Sequence, residues 1–179
     1  MLRPVQMAHW MLSEVIGTGD IAVDATMGNG WDTAFLAELT DKVYAFDVQE
    51  AALNSTQEFL QEKGLTAELI LDGHENVRKY IKEPIKGAIF NLGYLPRTDK
   101  SVTTHAGTTL QALESLTELL LPGGRIMLVI YYGHEGGEIE KEAVLDWAKA
   151  LPQAQWHVMK YSPLNQIHTP PLLVCIEKR

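Results

Sequence analysis

The residues best suited to bind a ligand cluster around a glycine-containing turn near the amino end of the chain. The segment Val23-Asp24-Ala25-Thr26-Met27-Gly28-Asn29-Gly30 follows a short apolar run and precedes a helical pattern. Glycines allow a tight turn and close approach of a ligand to the backbone, and a helix N-terminus offers unpaired N–H groups. The turn therefore predicts a ligand site, although the same residues would also suit an ordinary βα turn.

Two acidic residues further along the chain strengthen this interpretation. Asp47 follows the next apolar run, where a carboxylate can accept hydrogen bonds from both hydroxyls of a ribose. Asp72, in Leu71-Asp72-Gly73-His74, follows a third run and could accept from an adenine amino group, with the backbone of the next two residues near the ring. Either aspartate could instead cap a helix. Three such features at the ends of consecutive parallel strands are typical of ligand sites in open α/β sheets.

The motif DATMGNG, the strand-end Asp47 and the motif LDGH together resemble the cofactor motifs of Rossmann-like methyltransferases. A dinucleotide-binding loop reads G-x-G-x-x-G, whereas Thr33 stands three positions after Gly30 here, which argues against a nicotinamide cofactor. S-adenosyl-L-methionine has no phosphate, and its carboxylate and ammonium need only a few polar groups near the turn. The residues expected to hold this cofactor are Thr26, Gly28, Asn29, Gly30, Asp32, Thr33, Asp47, Gln49, Asp72, Gly73, His74 and Asn91.

Two further motifs resemble those of a narrower family. The motif NLGYLP at 91–96, with Asp99-Lys100-Ser101, and the motif YYGHEGG at 131–137 are similar to motifs of the small bacterial family labelled rRNA methylases. That family includes the tRNA 5-aminomethyl-2-thiouridine methyltransferase, and the resemblance covers about residues 22–177. It implies N-methylation of the 5-aminomethyl group of 5-aminomethyl-2-thiouridine at the wobble position, with a tRNA anticodon stem-loop as substrate. Arg97 departs from the family pattern NLGYLPGGDK, which has a glycine there.

The same motifs supply candidate residues for the methyl-acceptor side. The fourth strand is expected to end beside the donor methyl group, so that Asn91 and the following carbonyls hold an acceptor nitrogen while Tyr94 stacks on a base. An amine acceptor needs chiefly to be neutral and aligned for in-line attack at about 3 Å. His134 could accept the proton or orient the base, although loop histidines often only bond the backbone. We therefore predict Asn91, Tyr94 and His134 as catalytic.

Other functions remain open on the sequence. The net charge of −8 disfavours broad nucleic-acid binding, which relies on Lys and Arg, but it is compatible with local recognition of an RNA loop. The alternatives are an rRNA or small-molecule methyltransferase and a non-catalytic S-adenosylmethionine-binding module. The polar NLGYLP segment argues against the module, because an inactive site has no need of an aromatic residue beside an asparagine at a strand end.

The elements that position these residues alternate between strand-like and helix-like patterns. Strands are predicted at 21–24, 42–46, 66–71, 85–92, 125–132, 155–161 and 172–177, and helices at 4–17, 31–39, 50–63, 75–81, 108–121 and 138–151. This alternation is typical of βαβ units. We predict an α/β fold of the Rossmann-like class I methyltransferase type, with a mostly parallel seven-stranded sheet and helices on both faces, as one domain over 1–179.

Composition sets the remaining expectations. The apolar runs are much shorter than the roughly 20 residues that span a bilayer, so we expect a cytoplasmic protein without membrane contact. The lone Cys175 is expected to be a buried thiol. The histidines and this cysteine show no pair at metal-ligand spacing, so no metal site is predicted. We also expect a homodimer, since small proteins that act on tRNA often pair.

Overall fold

The computed structural model describes residues 1–94 and 104–179, and the described strands form a seven-stranded sheet. The strands are β1 (Ile21–Asp24), β2 (Lys42–Asp47), β3 (Glu68–Leu71), β4 (Ile85–Leu92), β5 (Leu120–Ile130), β6 (Trp156–Tyr161) and β7 (Leu172–Lys178). The α-helices are α1 (Pro4–Ser13), α2 (Trp31–Leu39), α3 (Glu50–Lys63), α4 (Ala106–Leu119) and α5 (Gly137–Lys149), and a 3₁₀-helix spans His74–Lys79.

The strand order is β3-β2-β1-β4-β5-β7-β6, and β7 alone among these strands runs antiparallel to both of its neighbours. The strands β1 and β4 are adjacent although the chain visits β2 and β3 between them, so the direction of winding reverses there. Ligands of open α/β sheets bind in the crevice at the carboxyl ends of the strands at such a reversal. The topology therefore places the glycine turn after β1 at the expected ligand site.

Two apolar layers cover the sheet, because consecutive side chains of a strand point to opposite faces. On one face, Leu12 of α1 and Leu36 of α2 pack in one core with Ile89 of β4. On the other face, the next residue, Phe90, packs with Leu113 of α4 and other residues of α4 and α5. The prediction of a mostly parallel sheet with helices on both faces is confirmed.

Some predicted boundaries were wrong. The segment predicted as a helix at 75–81 is a 3₁₀-helix, and the first helix ends at Ser13 instead of residue 17. Pro122-Gly123-Gly124, predicted to separate α4 from the next strand, lies inside β5. Leu120 already pairs with Ile85, and the register then shifts so that the next pairing lies beyond the glycines. Burial of Leu120 in the core stabilises this early start of the strand.

Within the described ranges, no helix has both the length and the apolar character needed to cross a bilayer.

Candidate active site

A cavity of about 840 Å³ opens at the carboxyl ends of the parallel strands. Ligand pockets usually measure roughly 300–1,000 Å³, so this one has the size of an ordinary small-molecule site. Most of the predicted site residues line it, namely Thr26, Gly28, Asn29, Asp32, Asp47, Gln49, Asp72, Gly73, His74, Asn91 and Tyr94. The other three predicted residues, Gly30, Thr33 and His134, lie outside this lining. The three strand ends that were expected to meet therefore do so around one cavity.

Asp47 fixes the glycine turn against the end of β2. One of its carboxylate oxygens accepts from the Gly28 amide at 3.0 Å and the other from the Gln49 amide at 2.9 Å. A carboxylate offers about four lone-pair sites, so these two bonds leave acceptors for a further ligand. Asp47 can thus hold the turn and a pair of hydroxyl groups at the same time.

The next strand end presents a second carboxylate and a neutral ring. Asp72 accepts from Tyr80 Oη at 2.7 Å and from Asn76 Nδ2 at 2.8 Å, and the Tyr80 bond lowers the pKa of this carboxyl. The ring of His74 is buried, with Nδ1 2.9 Å from the Ala25 carbonyl oxygen. Burial lowers the pKa of His74, and a carbonyl can only accept, so Nδ1 carries the proton of a neutral ring. His74 therefore serves as a wall of the cavity.

Asp24 and Thr33 lie together beneath the cavity. Asp24 is fully buried and accepts from the Thr33 hydroxyl at 2.6 Å and from the Thr26 amide at 3.1 Å. Burial, with a further contribution from the nearby Asp32, raises the pKa of Asp24 to about 7. The predicted cofactor residue Thr33 thus supports the turn from below.

The raised pKa makes the free energy of unfolding depend on pH. The folded state keeps a proton on Asp24 that the unfolded chain releases near its ordinary pKa of 3.8. The stability that the folded chain gains from binding this proton is therefore complete below pH 3.8. It is lost as the pH rises through about 7. In Asp24→Asn, a neutral amide can keep both hydrogen bonds, since the Thr33 hydroxyl can also accept. We expect this variant to gain stability over the native chain as the pH rises, by on the order of 4 kcal/mol at most.

Urea unfolding of both proteins across this pH range measures the gain. Asp41→Asn, at an exposed carboxylate in the loop before β2, serves as the control and should show no such trend. A pH-independent difference between Asp24→Asn and the native chain would contradict the expectation.

At the end of β4, Asn91 connects the glycine turn to the other side of the cavity. Its amide N–H donates to the Thr26 hydroxyl at 2.7 Å, and its side-chain Nδ2 donates to the carboxylate of Asp32. The ring of Tyr94 is half exposed and lies 5.3 Å from the ring of Tyr131. A polar amide, a carboxylate and two aromatic rings thus surround this end of the cavity.

Gly93 makes the turn between Asn91 and Tyr94 possible. Its φ is +73°, and a Cβ atom there would stand 2.1 Å from the Tyr131 carbonyl oxygen and 2.4 Å from Cε1 of His134. Its amide donates to the Thr104 hydroxyl at 2.9 Å. His134 therefore packs behind the turn rather than in the cavity wall, and its predicted catalytic role remains a prediction. Arg97 and the rest of 95–103, including Asp99-Lys100-Ser101, lie outside the described residues.

Sequence reasoning missed His9 of α1, which lines the cavity. Its Nε2 is 2.6 Å from Oδ1 of Asp32, and its ring stacks on Phe35 with the centroids 3.9 Å apart and the planes 2° from parallel. No motif surrounds His9 in the sequence, so only the packing of α1 against α2 could reveal it.

In the part of the chain that the structure covers, no group of three or more His, Cys, Asp or Glu side chains is arranged to hold a metal ion.

The residues present fit S-adenosylmethionine. Asp47 retains acceptors for ribose hydroxyls, and the neighbouring Val48 leaves its apolar side chain 58% exposed at the cavity wall, where an adenine ring would cover it. The glycine turn leads into the N-terminus of α2, whose cap Gly30 has a φ of +86°. Together with the sheet order, this cavity defines a methyltransferase of the Rossmann-like class.

Comparison with known proteins identifies the family. A family model described as "Putative rRNA methylase" matches residues 43–177, and the chain belongs to this family. A curated relative from Arabidopsis thaliana, the chloroplastic tRNA (mnm(5)s(2)U34)-methyltransferase, is 35% identical over 99% of this chain and 70% of its own length.

Solved structures agree with this assignment. A Streptococcus mutans protein described as a methyltransferase, in complex with SAH, is 52% identical and has a TM-score of 0.95 over 100% of this chain and 99% of its own. A Streptococcus thermophilus rRNA methylase is 49% identical, with a TM-score of 0.88 over 99% and 98% of the two chains. The predicted fold class and family are confirmed. The protein is an S-adenosylmethionine-dependent methyltransferase, and S-adenosylmethionine is its cofactor.

Proposed function

We propose that this enzyme N-methylates the 5-aminomethyl group of 5-aminomethyl-2-thiouridine at the wobble position of tRNA. The observation that carries the proposal is the polar and aromatic acceptor end of the cavity, formed by Asn91, Tyr94 and Tyr131. The similarity to the Arabidopsis tRNA methyltransferase over nearly the whole chain supports it.

The cofactor-binding residues are proposed to act as follows. Asp47 binds the ribose, Asp72 accepts from the adenine amino group, and His74 walls the ring, since all three line the same side of the cavity. The turn at Gly28 and Asn29 brings backbone groups to the amino-acid part of the cofactor. When bound, S-adenosylmethionine supplies an electrophilic methyl group on a sulfonium.

The acceptor residues bind and orient the modified uridine. The Asn91 side chain is held by its hydrogen bond to Asp32, so its amide oxygen keeps a fixed direction toward an acceptor nitrogen. The half-exposed ring of Tyr94 offers a face on which a base can stack. Trp31, which also lines the cavity, is 71% exposed and offers a second aromatic surface at its rim. Such stacking lets an acidic protein recognise an unpaired base without a broad basic surface.

The proposal is tested with RNA that lacks the modification. The purified enzyme and labelled S-adenosylmethionine are incubated with bulk tRNA from cells that lack this protein, and the digested nucleosides are analysed by mass spectrometry. We expect loss of 5-aminomethyl-2-thiouridine and gain of its N-methylated product, with no conversion by the Asn91→Ala variant.

The other functions give different results when rRNA and a small-metabolite fraction are offered alongside tRNA. Label in rRNA or in a small-metabolite fraction, with none in tRNA, would replace the proposed substrate. Tight cofactor binding with no transfer to any fraction would indicate a non-catalytic binding module. The predicted homodimer stays a prediction, which the molar mass in solution can check.

A further inference from the structure

We propose that Asp32 is the carboxylate that receives the ammonium group of the acceptor and takes its proton, and that His9 is the positioning residue that orients Asp32. The inference rests on the proposed function, because it requires an amine acceptor. It assigns the proton to Asp32 instead of His134, which the sequence suggested, and it gives helix α1 a role that the sequence did not indicate.

The first argument is the position of Asp32 among the acidic residues of the cavity. In the described part of the chain, four carboxylates line it: Asp47 ends β2, and Asp72 and Glu75 follow β3. Asp32 instead contacts Asn91 at the end of β4, on the side of the aromatic rings. Asp24 is excluded, because it is fully buried beneath the cavity and does not line it.

The second argument is how the Asp32 carboxylate is held. One oxygen accepts from Nδ2 of Asn91, and the other lies 2.6 Å from Nε2 of His9, so both oxygens have a fixed orientation. The side chain of Asp32 is 7% exposed, which reduces competition from water for an incoming cation. A carboxylate in such surroundings binds an ammonium group more strongly than one in bulk water does.

The third argument is the way His9 is fixed. Its ring stacks flat on Phe35, so the ring plane cannot turn freely. The side chain is nevertheless 28% exposed, and one part of it therefore reaches solvent. His9 thus keeps Nε2 directed at the buried carboxylate, which suits a residue that orients Asp32.

The proton balance of the step is simple. The acceptor arrives as an ammonium ion, one N–H bond breaks, and its electron pair remains on nitrogen as the nucleophilic lone pair. The proton moves to an oxygen of Asp32, while Nε2 of His9 donates its own hydrogen to the carboxylate and keeps it oriented, and Asp32 releases the proton to water after the reaction. Asp24 on β1 and Tyr131 just after β5 lie close enough to Asp32 to interact with its charge, and Arg3, just before α1, lines the same cavity.

The test compares two variants with the native enzyme on tRNA that carries the aminomethyl group. Asp32→Asn removes the proton acceptor, and His9→Phe keeps an aromatic ring over Phe35 but removes Nε2. We expect kcat to fall about 10²- to 10⁴-fold in Asp32→Asn and about tenfold or more in His9→Phe, with the Kd of S-adenosylmethionine unchanged. Both deficits should shrink as the pH rises, because the free amine becomes abundant in solution and needs no acceptor.

The matched control is His157→Phe, an exposed histidine on β6, which should turn over like the native enzyme. A deficit that is the same at every pH would overturn the proton role and leave only a structural one. A weakened Kd for S-adenosylmethionine in Asp32→Asn would overturn it too, because Asp32 would then hold the donor. If the native enzyme itself fails to methylate this tRNA, the proposed function fails, and the amine-specific role of Asp32 fails with it.

Discussion

The substitution Gly93→Ala is expected to lower the free energy of unfolding by about 2–5 kcal/mol and to remove most of the methyltransferase activity. Its left-handed φ of +73° strains any residue with a Cβ, and the new methyl group would meet the Tyr131 carbonyl oxygen at 2.1 Å. The backbone must move to relieve this contact, and Asn91 and Tyr94 move with it. A displacement of about 1 Å at a reacting centre can reduce the rate about 100-fold.

Denaturant unfolding and turnover on tRNA measure the two effects separately. The control is Gly64→Ala at the end of α3, where φ is +67° but no atom lies within 4 Å of the added Cβ. This variant should lose only about 1–2 kcal/mol of stability and keep its activity. If Gly93→Ala behaved like Gly64→Ala, the close contact with Tyr131 would not constrain the acceptor end of the site.

The substitution Asp47→Ala is expected to weaken S-adenosylmethionine binding roughly 10- to 150-fold. It removes charge-assisted hydrogen bonds to the ribose, which contribute about 1.5–3 kcal/mol. It also removes the acceptor of the Gly28 and Gln49 amides, so the glycine turn loses its attachment to β2. The expected loss therefore lies toward the upper end of this range.

Calorimetric titration with S-adenosylmethionine measures the loss. The control Asp41→Ala changes the net charge equally, at an exposed position at the other end of β2, and should bind like the native enzyme. Unfolding of both variants without ligand shows whether Asp47→Ala is folded at the titration temperature. An unchanged affinity in a folded Asp47→Ala variant would remove Asp47 from the ribose site.

Much of the cofactor side of the site could be read from the sequence. Gly28 lies in the turn after β1, Asp47 is the last residue of β2 and Asp72 follows β3. The apolar run of each strand is visible in the sequence, and parallel strands bring their carboxyl ends to one edge. A residue's place at a strand end is a local property, set by hydrophobic periodicity and turn chemistry. Given the parallel sheet, these residues had to meet, and the structure shows that they do.

The acceptor side depended on contacts that the order of residues does not contain. His9 and Asp32 are 23 positions apart and belong to helices whose relative placement is set by packing around Leu12 and Leu36. Other contacts between distant parts of the chain place Thr33 against Asp24 beneath the cavity and His134 behind Gly93.

The sequence by itself thus determined the fold class, the family and the position of the cofactor turn, because each follows from short-range patterns along the chain. Only the tertiary structure decided which polar side chains face the cavity and which support it from behind. Side-chain direction and burial depend on how distant helices pack on the sheet, and those contacts exist only in the folded protein.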